Sequence, residues 1–311
     1  MQRAADGTTE GRPRVGQSLD ELRKELVESG SKLRDVVEPE AQPLVEETAK
    51  LLHRQVFRLG VIGQIKAGKS TFINAFIQRP DFLPTDVNPW TTAVTRLHFG
   101  TDTGQLGAPN PKTGKPPKAR FTFFNETEWQ RLAEGGGRLR ELTERLVPGF
   151  EPELLKQQVD ALRRRAEARL GASYPQLLGQ SHAFEDIDNN LLKQYVCAGP
   201  IKAPVDQQAS QGQFSDITKS ADVRCEGGPF QFPVTVMDTP GTNDPFLLRD
   251  EITRRSLEAA DLYVVVLTAR QPLSQADLAL LRILRGLHKD RIIIYINRID
   301  DLLPWRYARQ R

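Results

Sequence analysis

The chain has 311 residues, 39% hydrophobic and 27% charged, with a net charge of +3. That length holds one sizeable core, or one core with a helical module attached, in a composition ordinary for a folded domain. The small net charge excludes wholesale coating of nucleic acid. Cys197 and Cys225 have neither metal-ligand nor redox spacing, so a reducing cytosol fits better than a disulfide framework.

Residues 1–17 are polar and rich in Gly and Arg; they read as a flexible tail with no apolar signal-peptide core. Ser18 and Glu21 have capping-box spacing, and Leu19, Leu22, Leu26 and Leu33 predict a helix with an apolar stripe that needs a partner surface. Pro39 and Pro43 interrupt it, and a second helix is expected from Val45 to about His53. Residues 18–55 thus read as a bundle-like helical element. Val56 to Ile62 then predicts a buried strand, Gly63 to Ser70 a loop, and Thr71 to Gln78 a helix. A loop rich in Pro and Thr (Pro84 to Thr92) leads into a strand over Val94 to Phe99.

Residues 100–215 differ from their surroundings. A long Gly/Pro loop precedes a short strand (Arg120 to Phe124) and helices over about 127–147, 151–171 and 186–196, so this stretch is expected as a mainly helical insertion. From residue 216 the strand pattern resumes. Ala221 to Cys225 and Phe232 to Met237 are expected as paired strands. A helix (Leu247 to Ala259), a strand (Leu262 to Leu267), a helix (Gln275 to Leu287) and a strand (Arg291 to Ile296) follow. Apolar strands alternating with helices predict an α/β fold whose mostly parallel sheet is covered by helices. Residues 56–99 and 216–311 would form this domain. The most apolar runs, Leu262 to Leu267 and Ile292 to Ile296, are far shorter than the ~20 residues that span a bilayer. Membrane contact is therefore expected to be peripheral or made by regions outside this chain.

Three motifs carry chemistry. Gly63-Gln64-Ile65-Lys66-Ala67-Gly68-Lys69-Ser70 matches GxxxxGK[ST], between a predicted strand and helix. The glycines let backbone N–H groups turn around phosphate oxygens, Lys69 reaches the β- and γ-phosphates, Ser70 serves Mg²⁺, and Thr71 opens the helix whose dipole favours the anion. The apolar strand Val234 to Met237 ends in Asp238-Thr239-Pro240-Gly241, where Asp238 can hold Mg²⁺ and the Gly241 N–H can approach the γ-phosphate. Asn297-Arg298-Ile299-Asp300 follows the last strand, where GTPases carry [NT]KxD. A carboxylate at Asp300 can accept from guanine N1–H and its amine, which adenine cannot supply. Arg298 stands where lysine is usual, and its stem can still pack on a base. A plain helix-capping loop is the competing reading. Between these motifs, Thr92 is preferred over Thr91 as the residue that closes over Mg²⁺ with the γ-phosphate present, from its distance to the next strand.

Together with Leu83-Pro84-Thr85-Asp86-Val87-Asn88-Pro89-Trp90-Thr91-Thr92, these residues resemble the dynamin superfamily of large GTPases, in particular its bacterial dynamin-like branch. The insertion, with Gly135 to Arg138 and Arg169-Leu170-Gly171, looks like that of members described as binding the replication clamp. The resemblance implies hydrolysis of GTP to GDP with Mg²⁺, GTPase domains that dimerise across the nucleotide, and remodelling of a membrane from a cytoplasmic position, peripheral at the inner face. It also implies a role for Lys66: relatives place at that position a group that handles charge developing between the β- and γ-phosphates, although a solvated surface lysine reads equally well. The family pattern continues beyond Asp300 through another strand and a base-contacting loop, whereas the sequence ends at Arg311. The domain is therefore expected to be C-terminally incomplete here. Two alternatives stand beside a membrane-acting GTPase. One is a nucleotide-gated module that recruits a protein partner through residues 100–215. The other is a P-loop ATPase, which Asp300 opposes. Arg163-Arg164-Arg165 reads either as a contact for anionic lipid or nucleic acid or as a solvated helix face.

Overall fold

The computed structural model describes residues 19–34, 36–45, 56–85, 93–100, 106–134, 152–198, 211–240, 260–286 and 288–302. The chain divides into two compact units, residues 1–56 with 230–233, and the remainder. In the first unit the leucine-patterned helix is α1, Leu19–Arg34, followed by a helical turn over 42–45. Leu26 and Leu33 are exposed along it. Most of the expected second helix lies outside the described residues.

The second unit is built on one eight-stranded sheet. Its strands are β1 (Phe57–Gly63), β2 (Val94–Phe99), β3 (Ala119–Phe123), β4 (Ser181–Phe184), β5 (Thr218–Cys225), β6 (Val234–Asp238), β7 (Leu262–Thr268) and β8 (Ile292–Asn297). Their order is β4-β3-β5-β2-β6-β1-β7-β8. The strands β6, β1, β7 and β8 form a parallel block, and β2 is parallel to β5. Antiparallel pairing joins β2 to β6 and β3 to both β5 and β4. This is the expected α/β architecture, with a mostly parallel sheet. Helices cover both faces. Ile62 stands beside Val265 in register, and Val266 beside Tyr295, so the two pairs project to opposite faces. On the Ile62 side, Leu280 and Leu284 of α7 (Gln275–Gly286) pack with Met237, Tyr263 and Val265. On the other, Phe72 of α2 (Lys69–Phe76) lies 4.8 Å from the Tyr295 ring. The expected helix over 247–259 is outside the described residues.

One expectation is overturned. The strands β5 and β6 are close in sequence and read as a pair, yet β2 lies between them, with Val94 opposite Ser220 and Phe99 opposite Val234. A polar network explains the insertion. His98 on β2 bonds Asp222 on β5 through Nε2 (3.0 Å) and Thr235 on β6 through Nδ1 (3.0 Å). Arg96 also pairs with Asp222. Buried polar groups on both neighbours are thus satisfied by one strand between them. Burial alone would raise the Asp222 carboxyl, but the His98 hydrogen bond and the Arg96 charge outweigh it and hold it below the ordinary range.

The stretch 100–215 contributes α3 (Glu126–Glu134), α4 (Pro152–Leu170), the short α5 (Tyr174–Leu177) and α6 (Asn189–Val196), and also β3 and the unforeseen β4 of the main sheet. Residues 135–147 of the expected first helix are not among the described ones. Phe121 stacks on Tyr195 at 3.9 Å, while Phe123 and Phe214 meet the His182 ring edge-on. Two of the three consecutive arginines are engaged within the protein. Arg163 pairs with Glu126 and Glu167, and Arg165 grips the buried Asp216.

Candidate functional site

The loop Gly63 to Ser70 leaves the C-terminal end of β1 and enters α2, between the tips of β6 and β7. Two glycines are required by contact as well as by dihedral. At Gly63 (φ +151°) a Cβ would overlap the Val266 carbonyl oxygen, and at Gly68 (φ +92°) it would overlap the Asn297 amide. Lys66, exposed at the loop's outer turn, holds a left-handed conformation (φ 62°) that is strained for a lysine. Ile65 is half-buried and Thr71 exposed.

Lys69 is buried (7% exposed), and its Nζ donates to the carbonyls of Gly63 (3.2 Å) and Gln64 (3.0 Å). The ammonium therefore sits inside the loop's own curl. Ser70 donates its hydroxyl to Asp238 Oδ2 at 2.9 Å. Asp238 closes β6, is 2% exposed, and its Oδ1 has no hydrogen-bond partner among the described residues. Burial pushes its carboxyl up to about 6, against the opposing pull of the Lys69 charge, the Ser70 hydroxyl and the Thr239 N–H. Thr239 turns back to donate to the Val61 carbonyl (2.9 Å), which fixes the exit from β6 against β1. A buried carboxylate oxygen without a partner, beside a serine hydroxyl, is the hard-oxygen pair that suits Mg²⁺. The residues present therefore fit that ion.

The third motif closes on the same loop from the other side. Asn297 donates its side-chain N–H to the Ala67 carbonyl at 2.9 Å. Arg298 (φ 61°) and Asp300 are exposed just beyond the end of β8, in and beside the 3₁₀ turn Ile299–Leu302, and Asp301 takes Arg270 and Arg298 as ion partners. The structure thus gathers Gly63, Gln64, Ala67, Gly68, Lys69, Ser70, Asp238 and Asn297 around one loop, with Arg298 and Asp300 following Asn297. Thr92 and Gly241 lie outside the described residues.

Two contributors carried no obvious signal in sequence. Asn74 on α2 exchanges two hydrogen bonds with the Leu83 backbone (2.9 and 2.8 Å), anchoring the segment that leads toward Thr92. Ser274, before α7, accepts from Gln64 Nε2 at 2.6 Å. Its Ser-x-x-Asp spacing with Asp277 is a capping signature visible in the sequence, although its reach to the loop is not.

The dynamin family model matches residues 59–143, a span that opens on β1 and takes in the loop and β2. Dynamin-like protein 1 of Campylobacter jejuni is 22% identical over 84% of this chain, and the bacterial dynamin-like protein of Nostoc punctiforme is 50% identical over 54 residues. Over residues 59–143 the chain is thus similar to the dynamin family. Solved structures agree in fold: two chains of an oligomerised bacterial dynamin pair, described as providing a mechanism for long-range sensing and tethering of membranes, align over 93% of this chain. Each has a TM-score of 0.51, at 18% and 17% identity. The chain spans about a third of the length of these dynamins: 30% of the Campylobacter protein and 35% and 34% of the two solved chains. Among the described residues, no helix is long and apolar enough to cross a membrane.

Proposed function

We propose that this chain binds and hydrolyses GTP with Mg²⁺, and that its nucleotide state governs pairing with a second copy and, in the whole protein, work at a membrane surface. The observation that carries the reading is the convergence of Lys69, Ser70, Asp238 and Asn297 on one glycine-shaped loop. In it, Lys69 leaves the two loop carbonyls for the β- and γ-phosphates, and the loop's main-chain N–H groups cradle the same oxygens. Ser70 and Asp238 would hold Mg²⁺, which supplies charge neutralisation on the phosphates. Asp300 reads the guanine edge, and Arg298 packs its stem on the base. Thr92 and the Gly241 N–H are assigned to the γ-phosphate end. Lys66, exposed and strained at the loop's outer turn, is assigned to the charge that develops as the terminal phosphate leaves.

Membrane work is taken from the tethering described for the solved dynamin pair and from the family match, and self-association from the same pair's oligomerised state. For residues 100–215, recruitment of a protein partner is the favoured role over lipid contact, because Arg163 and Arg165 are engaged in ion pairs. Titration with labelled GTP and ATP tests the core of the reading. Lys69→Ala is expected to abolish GTP affinity by removing the phosphate cation. Unchanged affinity, or equal affinity for ATP in the parent chain, would sink it.

A further inference from the structure

The phosphate loop is gripped at two points by one continuous piece of chain. Ser274 precedes α7, α7 leads into β8, and β8 ends at Asn297. Gln64 Nε2 donates to Ser274 Oγ at 2.6 Å, and Asn297 Nδ2 donates to the Ala67 carbonyl at 2.9 Å. The Ser274 grip is itself braced. Its hydroxyl and its N–H lie 2.9 and 3.0 Å from Asp277 Oδ2, and the Asp277 N–H lies 3.4 Å from its Oγ. Asp277 is fully buried, and its Oδ1 has no hydrogen-bond partner among the described residues.

The chain of bonds has one consistent polarity. Ser274 has a single hydroxyl hydrogen, which goes to the Asp277 carboxyl oxygen, and its lone pair then accepts from Gln64. A carboxyl at the end of such a chain polarises the serine and strengthens its hold on the amide. Gln64 matters because its main-chain carbonyl is one of the two that hold Lys69, and the same carbonyl accepts from the Ala67 N–H (3.2 Å). Fixing the Gln64 side chain therefore fixes the group that sets where Lys69 rests.

We propose that Ser274 and Asp277 are positioning residues for the phosphate loop, acting through the side chain of Gln64, so that α7 and β8 clamp the loop as one unit. The inference rests on the GTPase reading for its consequence, a pre-shaped phosphate cradle. Its physical content, a coupling between Ser274 and residues 64–70, does not depend on that reading.

Amide hydrogen exchange on the full chain, with GTP titration of the same samples, tests it. Ser274→Ala and Gln64→Ala should each raise exchange at residues 64–70 by about fivefold, the effect of one lost hydrogen bond. Gln64→Ala leaves the helix cap intact, so a cap-only role for Ser274 predicts no change there. The double variant should be no worse than either single one, because both remove the same link. Ser274→Thr, which keeps the hydroxyl, should restore protection. Asp277→Ala should loosen the loop in the same way, and Asp277→Asn, which keeps an accepting oxygen, less so. With GTP bound by the parent, Ser274→Ala should raise its Kd about fivefold, again one hydrogen bond. Unchanged loop exchange in Ser274→Ala, or fully additive effects in the double variant, overturns the proposal. A parent chain that binds no GTP removes the GTPase reading instead, and the exchange comparison still decides the coupling.

Discussion

The two ends of the sheet carry different side-chain chemistry above a shared apolar core. At the tips of β1, β7 and β8 the contacts are polar: Lys69 on nearby loop carbonyls and, long in sequence, Ser70 on Asp238, Gln64 on Ser274 and Asn297 on Ala67. Around β3, β4 and α6 they are aromatic: Phe121 on Tyr195, Phe123 against His182, Tyr195 on Phe214. The edges differ too. The edge strand β4 has four residues and its rings are half-buried, whereas β8 exposes Ile293, Ile294, Tyr295 and Ile296 on both of its faces. Apolar edges of that kind pair with further chain. The aromatic half stores stability. The polar half carries the candidate site at the expense of stability, as the buried oxygen of Asp238 without a partner among the described residues illustrates.

Tyr195→Ala should separate the halves most sharply. Removing a buried aromatic costs about 3–5 kcal/mol, so the midpoint of denaturant unfolding should fall steeply while the folded protein keeps its GTP affinity. A loss of affinity in the folded fraction would mean that the halves are coupled.

Asp238 gives the opposite case. Its folded carboxyl lies near 6, above the ordinary 3.8, so the folded state holds that proton more tightly than the unfolded chain. Stability from this group is therefore greatest at low pH and falls as pH rises from about 4 through 6, by up to about 3 kcal/mol. In metal-free protein, Asp238→Asn should flatten that slope and raise the melting temperature at pH 7, while abolishing Mg²⁺-dependent turnover. A variant less stable than its parent at pH 7 would contradict this.

At the far end of β8, Asp300→Asn should shift preference from GTP toward xanthosine triphosphate by about a hundredfold, because the site's acceptor becomes a donor. Competition binding measures it, and continued rejection of the xanthine base would remove Asp300 as the base reader. The smallest effect is expected at Lys66. Its alanine variant should slow single-turnover hydrolysis by about tenfold, with GTP affinity nearly unchanged. Equal turnover in the assembled protein would make Lys66 a surface lysine.

Much of the polar half was legible in sequence because its motifs are contiguous. Gly63 to Ser70 stands between an apolar strand and a helix, and β7 announces itself as a short apolar run. What escaped was pairing across distance. The insertion of β2 between β5 and β6 depends on His98 finding Asp222 and Thr235, more than 120 residues away. The Gln64–Ser274 bond crosses 210 residues, and no local pattern encodes it. In the aromatic half, β4 is only four residues long, and Ser181 to Phe184 has too little alternation to stand apart from a loop. Its place on the edge is set by Phe184 and His182 meeting Tyr195.

Asn297 has a consequence for how such a sequence can drift. Its amide occupies the space that any side chain at position 68 would need, and the same amide ties the end of β8 to the loop. The two positions are therefore bound as a pair. A lineage that relaxes residue 68 must first surrender residue 297, and with it the segment that leads to Asp300. Substitutions at these sites should be inherited together, so that the glycine-shaped loop and the segment after β8 change as one heritable character.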